Sequence, residues 1–145
     1  MKISTKGRYA LRMLYDLASH YDDGFVSLKD IAERQSISKK YLEQIVPMLN
    51  KSGLLRTNRG NKGGYMLAKK ASEVTIADVL IATEGSLAPV SCLDFEPNEC
   101  QRAGECSTLF VWEGLFNAIK EYLGSITLQD IIDKSANNSG GDYCI

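Results

Sequence analysis

Basic residues nearly vanish from the second half of this 145-residue chain. Residues 71–145 hold 3 Lys and Arg against 12 Asp and Glu, a net −9, whereas residues 1–70 hold 14 against 6, a net +8. The overall charge of −1 conceals that split. A basic half joined to an acidic half implies that the first half meets a polyanion. Histidine is scarcer still, with His20 the only one. No nucleophile–base pair can be assembled, and no Gly-Lys-Ser/Thr phosphate loop opens a helix, so no enzyme is expected. No apolar run approaches the length of a membrane span. The opening Met1-Lys2-Ile3-Ser4-Thr5-Lys6 leads into no hydrophobic secretory leader. The expected compartment is a reducing cytoplasm, without membrane association, where metal or redox roles for cysteine gain weight over disulfides.

Three of the four cysteines, Cys92, Cys100 and Cys106, stand in one short polar stretch, with gaps of seven and five residues. Their neighbours Asp94, Glu96, Pro97, Asn98, Glu99, Gly104 and Glu105 form loops rather than cores, so these thiols are not placed as small buried hydrophobes. Soft sulphur donors gathered on a loop suit an iron–sulphur cluster or zinc. Three spectator thiols, or one disulfide with a thiol left over, are the bland alternatives. Glu96, Glu99 and Glu105 are the better oxygen donors nearby. His20, at the end of the first helix, reads as a surface residue, and Cys144 as a spectator thiol.

Hydrophobic periodicity organises the rest. Ala10, Met13, Leu14, Leu17, Ala18 and Tyr21 mark one face of a first helix. Ser27 with Asp30 opens a second, with Ile31 and Ala32 inward. After a break at Gln35-Ser36-Ile37, Ser38 caps a third helix that buries Leu42, Ile45, Val46 and Leu49 and ends at Ser52-Gly53. Pro47 lies inside that helix and predicts a kink or a loosening after Ile45. Two short helices joined by a tight turn form a helix-turn-helix. Leu54 to Thr57 and Tyr65 to Leu67 read as strands flanking the glycine-rich basic turn Asn58-Arg59-Gly60-Asn61-Lys62-Gly63-Gly64, a hairpin wing. Thr75 with Asp78 caps a fourth helix. The cysteine loop spans roughly 85–106. Leu109, Trp112, Leu115, Phe116, Ile119 and Leu123 then mark a long helix, whose large apolar residues suit a partner subunit's helix or packing against the first helix. Thr127 opens a last short helix, and residues 135–142 read as a flexible tether.

The fold expected is mainly α with a small β-hairpin wing: a winged helix-turn-helix DNA-binding domain over 1–70, the cysteine loop and dimerisation helices over 71–133, and a flexible tail over 134–145. On the third helix Ser38, Lys39, Lys40, Tyr41, Glu43 and Gln44 are the polar members of the first two turns. Gln44 can pair with adenine, Glu43 can accept from cytosine, and Ser38 can serve either. Lys39 and Lys40 suit phosphates, which position without specifying. At the wing tip Arg59 suits a narrow minor groove, with Gly60 and Lys62 beside it.

Met1 to Ala10, Tyr41-Leu42-Glu43-Gln44, and Arg59-Gly60 followed by Gly63-Gly64-Tyr65 resemble the Rrf-two family of bacterial winged-helix regulators, of IscR, NsrR and CymR type, over about residues 1–133. The resemblance implies a homodimer paired through its long helices, double-stranded DNA as partner, and a cluster on Cys92, Cys100 and Cys106, with 2Fe–2S favoured over 4Fe–4S. The histidine that IscR-type proteins carry three residues after the third cysteine is Leu109 here, and the acidic residue that some NsrR-type proteins carry on the first helix is Arg8. The function implied is a DNA-binding repressor responsive to a cluster, in iron–sulphur or cysteine metabolism. The alternatives are a CymR-type repressor acting through cysteine synthase, and a nitric-oxide or thiol sensor without a permanent cluster. The ending Tyr143-Cys144-Ile145 resembles the isoleucine-ended tails that enter cysteine synthase, which makes Tyr143 and Ile145 candidate contacts to that enzyme.

Overall fold

Four hydroxyl side chains set where the main helices begin. Ser4, Ser27, Ser38 and Thr75 each accept a hydrogen bond from the backbone N–H three residues ahead, satisfying a donor that has no intrahelical partner. Thr75 and Asp78 do so reciprocally, each side chain bonding the other's N–H. The computed structural model describes residues 2–139. The helices are α1 (Thr5–Ser19), α2 (Leu28–Gln35), α3 (Lys39–Lys51), α4 (Ile76–Glu84), α5 (Leu109–Gly124) and α6 (Leu128–Ser139). Strands β1 (Leu55–Asn58) and β2 (Gly64–Leu67) pair antiparallel, with Leu55 opposite Leu67 and Asn58 opposite Gly64. Mainly helical, with one hairpin, this is the architecture expected.

The core gathers around α1. Ala10, Met13, Leu14 and Leu17 are fully buried with Ile31 of α2, Leu42, Ile45 and Leu49 of α3, Val79 of α4 and Leu128 of α6. One hydrophobic cluster therefore joins residues on both sides of position 70. The N–H of Leu128 donates to the Val74 carbonyl, and that of Ile76 to the Ile126 carbonyl, tying the start of α6 to the start of α4.

Four expectations need correction. Tyr21 is exposed, because α1 stops at Ser19 and the short 3-10 turn Tyr21–Asp23 carries it off the apolar face. Helix α3 does not loosen after Ile45 but runs unbroken across Pro47 to Lys51. The ring faces solvent, the freed Glu43 carbonyl lies on an exposed residue, and fully buried Leu49 anchors the last turn. Helix α6 continues to Ser139, where a tether was expected from 135; the Ser135 hydroxyl meets the Tyr15 hydroxyl at 2.9 Å, which ties α6 to α1 at that position. Finally, the helix that α5 packs against is α4. No residue of α5 is fully buried, and Phe110, Val111, Trp112, Leu115 and Tyr122 are exposed. Among the described residues no helix is long and apolar enough to cross a membrane.

Candidate nucleic-acid interface and cysteine loop

Helix α3 owes its placement to aromatic packing at its first turn. Tyr41 is half-buried, its ring edge-on to Tyr9 of α1 with centroids 5.2 Å apart, and the Arg12 guanidinium lies 5.4 Å from the Tyr9 ring. Arg12 also donates to the Gln35 carbonyl at the end of α2. The same residues thus hold α1, α2 and α3 in one orientation. Ser38 is committed as the cap, accepting from the Tyr41 N–H at 3.0 Å. Lys39, Lys40, Glu43 and Gln44 all point to solvent. No acidic residue occupies the first turn of α3, so its positive end is open to an anion.

The wing stands beside this face. Asn50 of α3 accepts from the Thr57 hydroxyl of β1 at 3.1 Å. Glu43, Pro47 and Asn50 face Thr57, Arg59 and Tyr65 across a cleft of about 410 Å³. Helix α3 and the hairpin therefore form one continuous surface, with Arg59, Gly60 and Lys62 exposed at the hairpin's tip. Each glycine of the wing turn has a steric reason. Gly60 adopts φ +128°, which favours glycine. A Cβ on Gly63 would meet the Asn58 and Gly60 carbonyls, and one on Gly64 would meet the Val26 carbonyl. Val26 forms a bridge to Tyr65, with N–H to carbonyl hydrogen bonds of 2.8 Å in both directions, which seats the hairpin on the helical body. Sequence reading missed the Val26 bridge and the Asn50–Thr57 tie; the doubled Gly63-Gly64 was the available signal for the first.

The cysteine loop leaves α4 at Gly85, whose φ is +83°. Cys92 lies in the short 3-10 turn Ser91–Leu93, Cys106 directly follows the turn Ala103–Glu105, and Cys100 stands between. Among the described residues no three or more His, Cys, Asp or Glu are grouped so as to hold a metal ion. The three thiols expected to converge are thus near only along the chain. The donor chemistry nevertheless fits a soft centre. All three thiols are free; Cys100 and Cys106 are exposed and Cys92 half-buried. A hydrogen bond with the Thr108 side chain, 3.5 Å from the Cys106 sulphur, leads the effects that hold that thiol below its ordinary range. Asn98 shapes the loop by accepting the Cys100 N–H at 2.8 Å. Leu109 begins α5 and offers no donor, while Glu96, Glu99 and Glu105 are exposed. His20 lies apart, its Nδ1 2.8 Å from the Asp16 carbonyl oxygen. Tyr143, Cys144 and Ile145 fall outside the described residues.

Residues 3–134 match the family described as "Rrf2: Iron-dependent Transcriptional regulator". The chain is 42% identical to protein rrf2 of Nitratidesulfovibrio vulgaris, across 91% of this chain and 87% of that protein. It is 41% identical to the HTH-type transcriptional regulator IscR of Photorhabdus laumondii, across 92% and 80%. Among solved structures, T. potens IscR superposes with a TM-score of 0.75 at 40% identity, covering 97% of this chain and 92% of that one. CymR, the global cysteine regulator of B. subtilis, does so with a TM-score of 0.75 at 36% identity, covering 92% and 98%.

Proposed function

Because the chain belongs to the Rrf2 family of transcriptional regulators, we propose that it is a cytoplasmic, homodimeric, sequence-specific DNA-binding repressor whose affinity for its operator responds to an iron–sulphur cluster held by Cys92, Cys100 and Cys106. One observation carries the reading: three free thiols share a loop that runs directly from the core helix α4 into α5, on a chain about as similar to IscR as to rrf2. Lys39, Lys40 and the positive end of α3 engage phosphates, Glu43 and Gln44 read base edges in the major groove, and Arg59 with Lys62 reaches the adjacent minor groove from the wing. The exposed apolar residues of α5 supply the dimer contact, which places two reading helices on a site of two-fold symmetry.

Three thiolates fall one short of the four protein ligands usual for a cluster, and Leu109 closes the position where a fourth was expected. One position is therefore held by a non-cysteine group or stays labile, and lability suits a sensor. When bound, a 2Fe–2S cluster supplies a centre that oxygen or nitric oxide attacks. The test is the absorption spectrum, with iron and sulphide counted per chain, of protein purified without oxygen. Cys92→Ala, Cys100→Ala and Cys106→Ala each lose the colour, and Cys144→Ala keeps it. A second reading, a cysteine-metabolism repressor without a cluster, draws on the likeness to CymR. It predicts a colourless, iron-free anaerobic preparation.

A further inference from the structure

Ser4 and Glu84 are 80 positions apart and share one short contact network. Glu84 is the last residue of α4, and the cysteine loop starts at the next residue. Its Oε1 accepts from the Ser4 N–H at 2.9 Å and from the Ser4 hydroxyl at 2.6 Å. The same Ser4 hydroxyl oxygen accepts from the Gly7 N–H and so caps α1. The first turn of α1 carries no acid of its own, so Glu84 supplies the carboxylate that the positive helix end favours. Gly7 is buried, and a Cβ there would lie 2.6 Å from Glu84 Oε1, so glycine at this position is what admits the carboxylate.

The segment that this contact holds carries three exposed cations, Lys2, Lys6 and Arg8, the last donating to the Thr5 hydroxyl at 3.1 Å. Beneath it lies a mainly apolar groove of about 420 Å³, bounded by Lys2 and Ile3, by Glu84 and Leu87, and by Ile119 and Tyr122 of α5.

We propose that Glu84 is the positioning residue through which the cysteine loop acts on DNA: by holding Ser4 it sets the first turn of α1, and with it Lys2, Lys6 and Arg8, against the phosphate backbone. The proposal rests on the cluster-responsive reading above. A loop rearranged around a ligand shifts the end of α4, and the Ser4–Glu84 contact transmits that shift to cations whose contribution to binding falls steeply with misplacement.

The test uses full-length protein, iron-loaded and chelator-stripped, against a duplex fragment that the wild type selects from random sequence. Wild type should show dissociation constants at least about tenfold apart between the two forms, and Glu84→Ala should bring them within about twofold, since a coupling free energy requires the coupled contact. Glu84→Gln, which keeps the acceptor oxygen, should restore most of the ratio. Ser4→Ala should match Glu84→Ala, and the double variant should add nothing. In the stripped protein, Glu84→Ala should lower the slope of log affinity against log salt by about 1–2, the share of one or two phosphate contacts. A switching wild type accompanied by a Glu84→Ala protein with the wild-type ratio and slope overturns the role of Glu84 alone. A wild type whose two forms bind alike overturns the cluster reading and this transmission with it.

Discussion

The carboxylate of Asp16 and the guanidinium of Arg34 meet as a fork, Arg34 Nε donating to Oδ2 at 3.0 Å and a terminal nitrogen donating to Oδ1 at 2.7 Å. Asp16 is 2% exposed and also accepts from the Gln35 side chain at 3.1 Å, so α1 and α2 are joined through a buried anion. Such an anion is costly once its partner is removed. Arg34 is itself partly exposed, which screens the pair, so Arg34→Ala should lower stability by about 2 kcal/mol in urea titration, and Arg34→Lys should not restore it because an ammonium cannot fork. The hydrogen bond that Arg34 donates to Asp16 leads the effects that raise its guanidinium above its ordinary range. A raised base contributes at every pH below its unfolded range and loses the contribution only above it. The difference between wild type and Arg34→Ala should therefore stay constant from about pH 6 to about pH 9.

Gly64→Ala should unseat the wing. Its Cβ meets the Val26 carbonyl, a backbone atom held by hydrogen bonds in both directions, so neither strand can yield cheaply. The expected cost is about 2 kcal/mol in thermal or urea unfolding, with a loss of DNA affinity larger than stability alone accounts for. Gly104→Ala, where nothing lies near an added Cβ, is the control.

Arg59→Ala and Gln44→Ala should separate two kinds of DNA contact. Loss of the wing arginine weakens specific binding and shallows its salt dependence by about 1. Loss of Gln44 relaxes base preference at one position of each half-site by about 1–3 kcal/mol. Competition binding with single-base operator variants distinguishes them. Unaltered binding by both proteins defeats the assignment of α3 and the wing.

Leu115→Glu and Trp112→Asp should convert the proposed dimer to monomers in analytical ultracentrifugation. Both side chains are exposed on an α5 that has no buried residue of its own, so a charge there costs the isolated chain little and a pairing helix a great deal. Operator affinity should fall together with dimerisation.

Cys106 in the iron-free protein should be alkylated at lower pH than the same thiol in Thr108→Val. The Thr108 hydrogen bond favours the thiolate, so removing it moves the pH midpoint of iodoacetamide reaction upward. An unchanged midpoint removes Thr108 from the account.

Local signals carried most of the secondary structure. Ser27, Ser38 and Thr75 were legible as caps because a hydroxyl three residues ahead of a free N–H works within one turn, whatever surrounds it. The helical faces of α1 and α3 were legible because burial follows a period of 3.6 residues, and the wing because glycine and basic residues separate two short apolar runs. The charge split and the family motifs pointed to DNA for the same reason: they are properties of the chain's order.

Only the tertiary structure decided what depends on residues far apart in the chain. Nothing near Asp16 announces Arg34 and Gln35, which come round from α2 to meet it. Nothing near Ser4 announces Glu84, and the doubled glycine at 63–64 signals a close approach without naming the Val26 carbonyl. Tyr21 fitted the helical period yet lies outside it, because α1 had already ended. Pro47 read as a point where α3 could loosen yet causes no break, because the solvent side of a helix can forgo one hydrogen bond while its buried side keeps Leu49. The cysteine loop is the converse case: its sequence names three candidate donors, and the described structure does not group them, because the loop is mostly exposed and has little packing energy with which to bring them together.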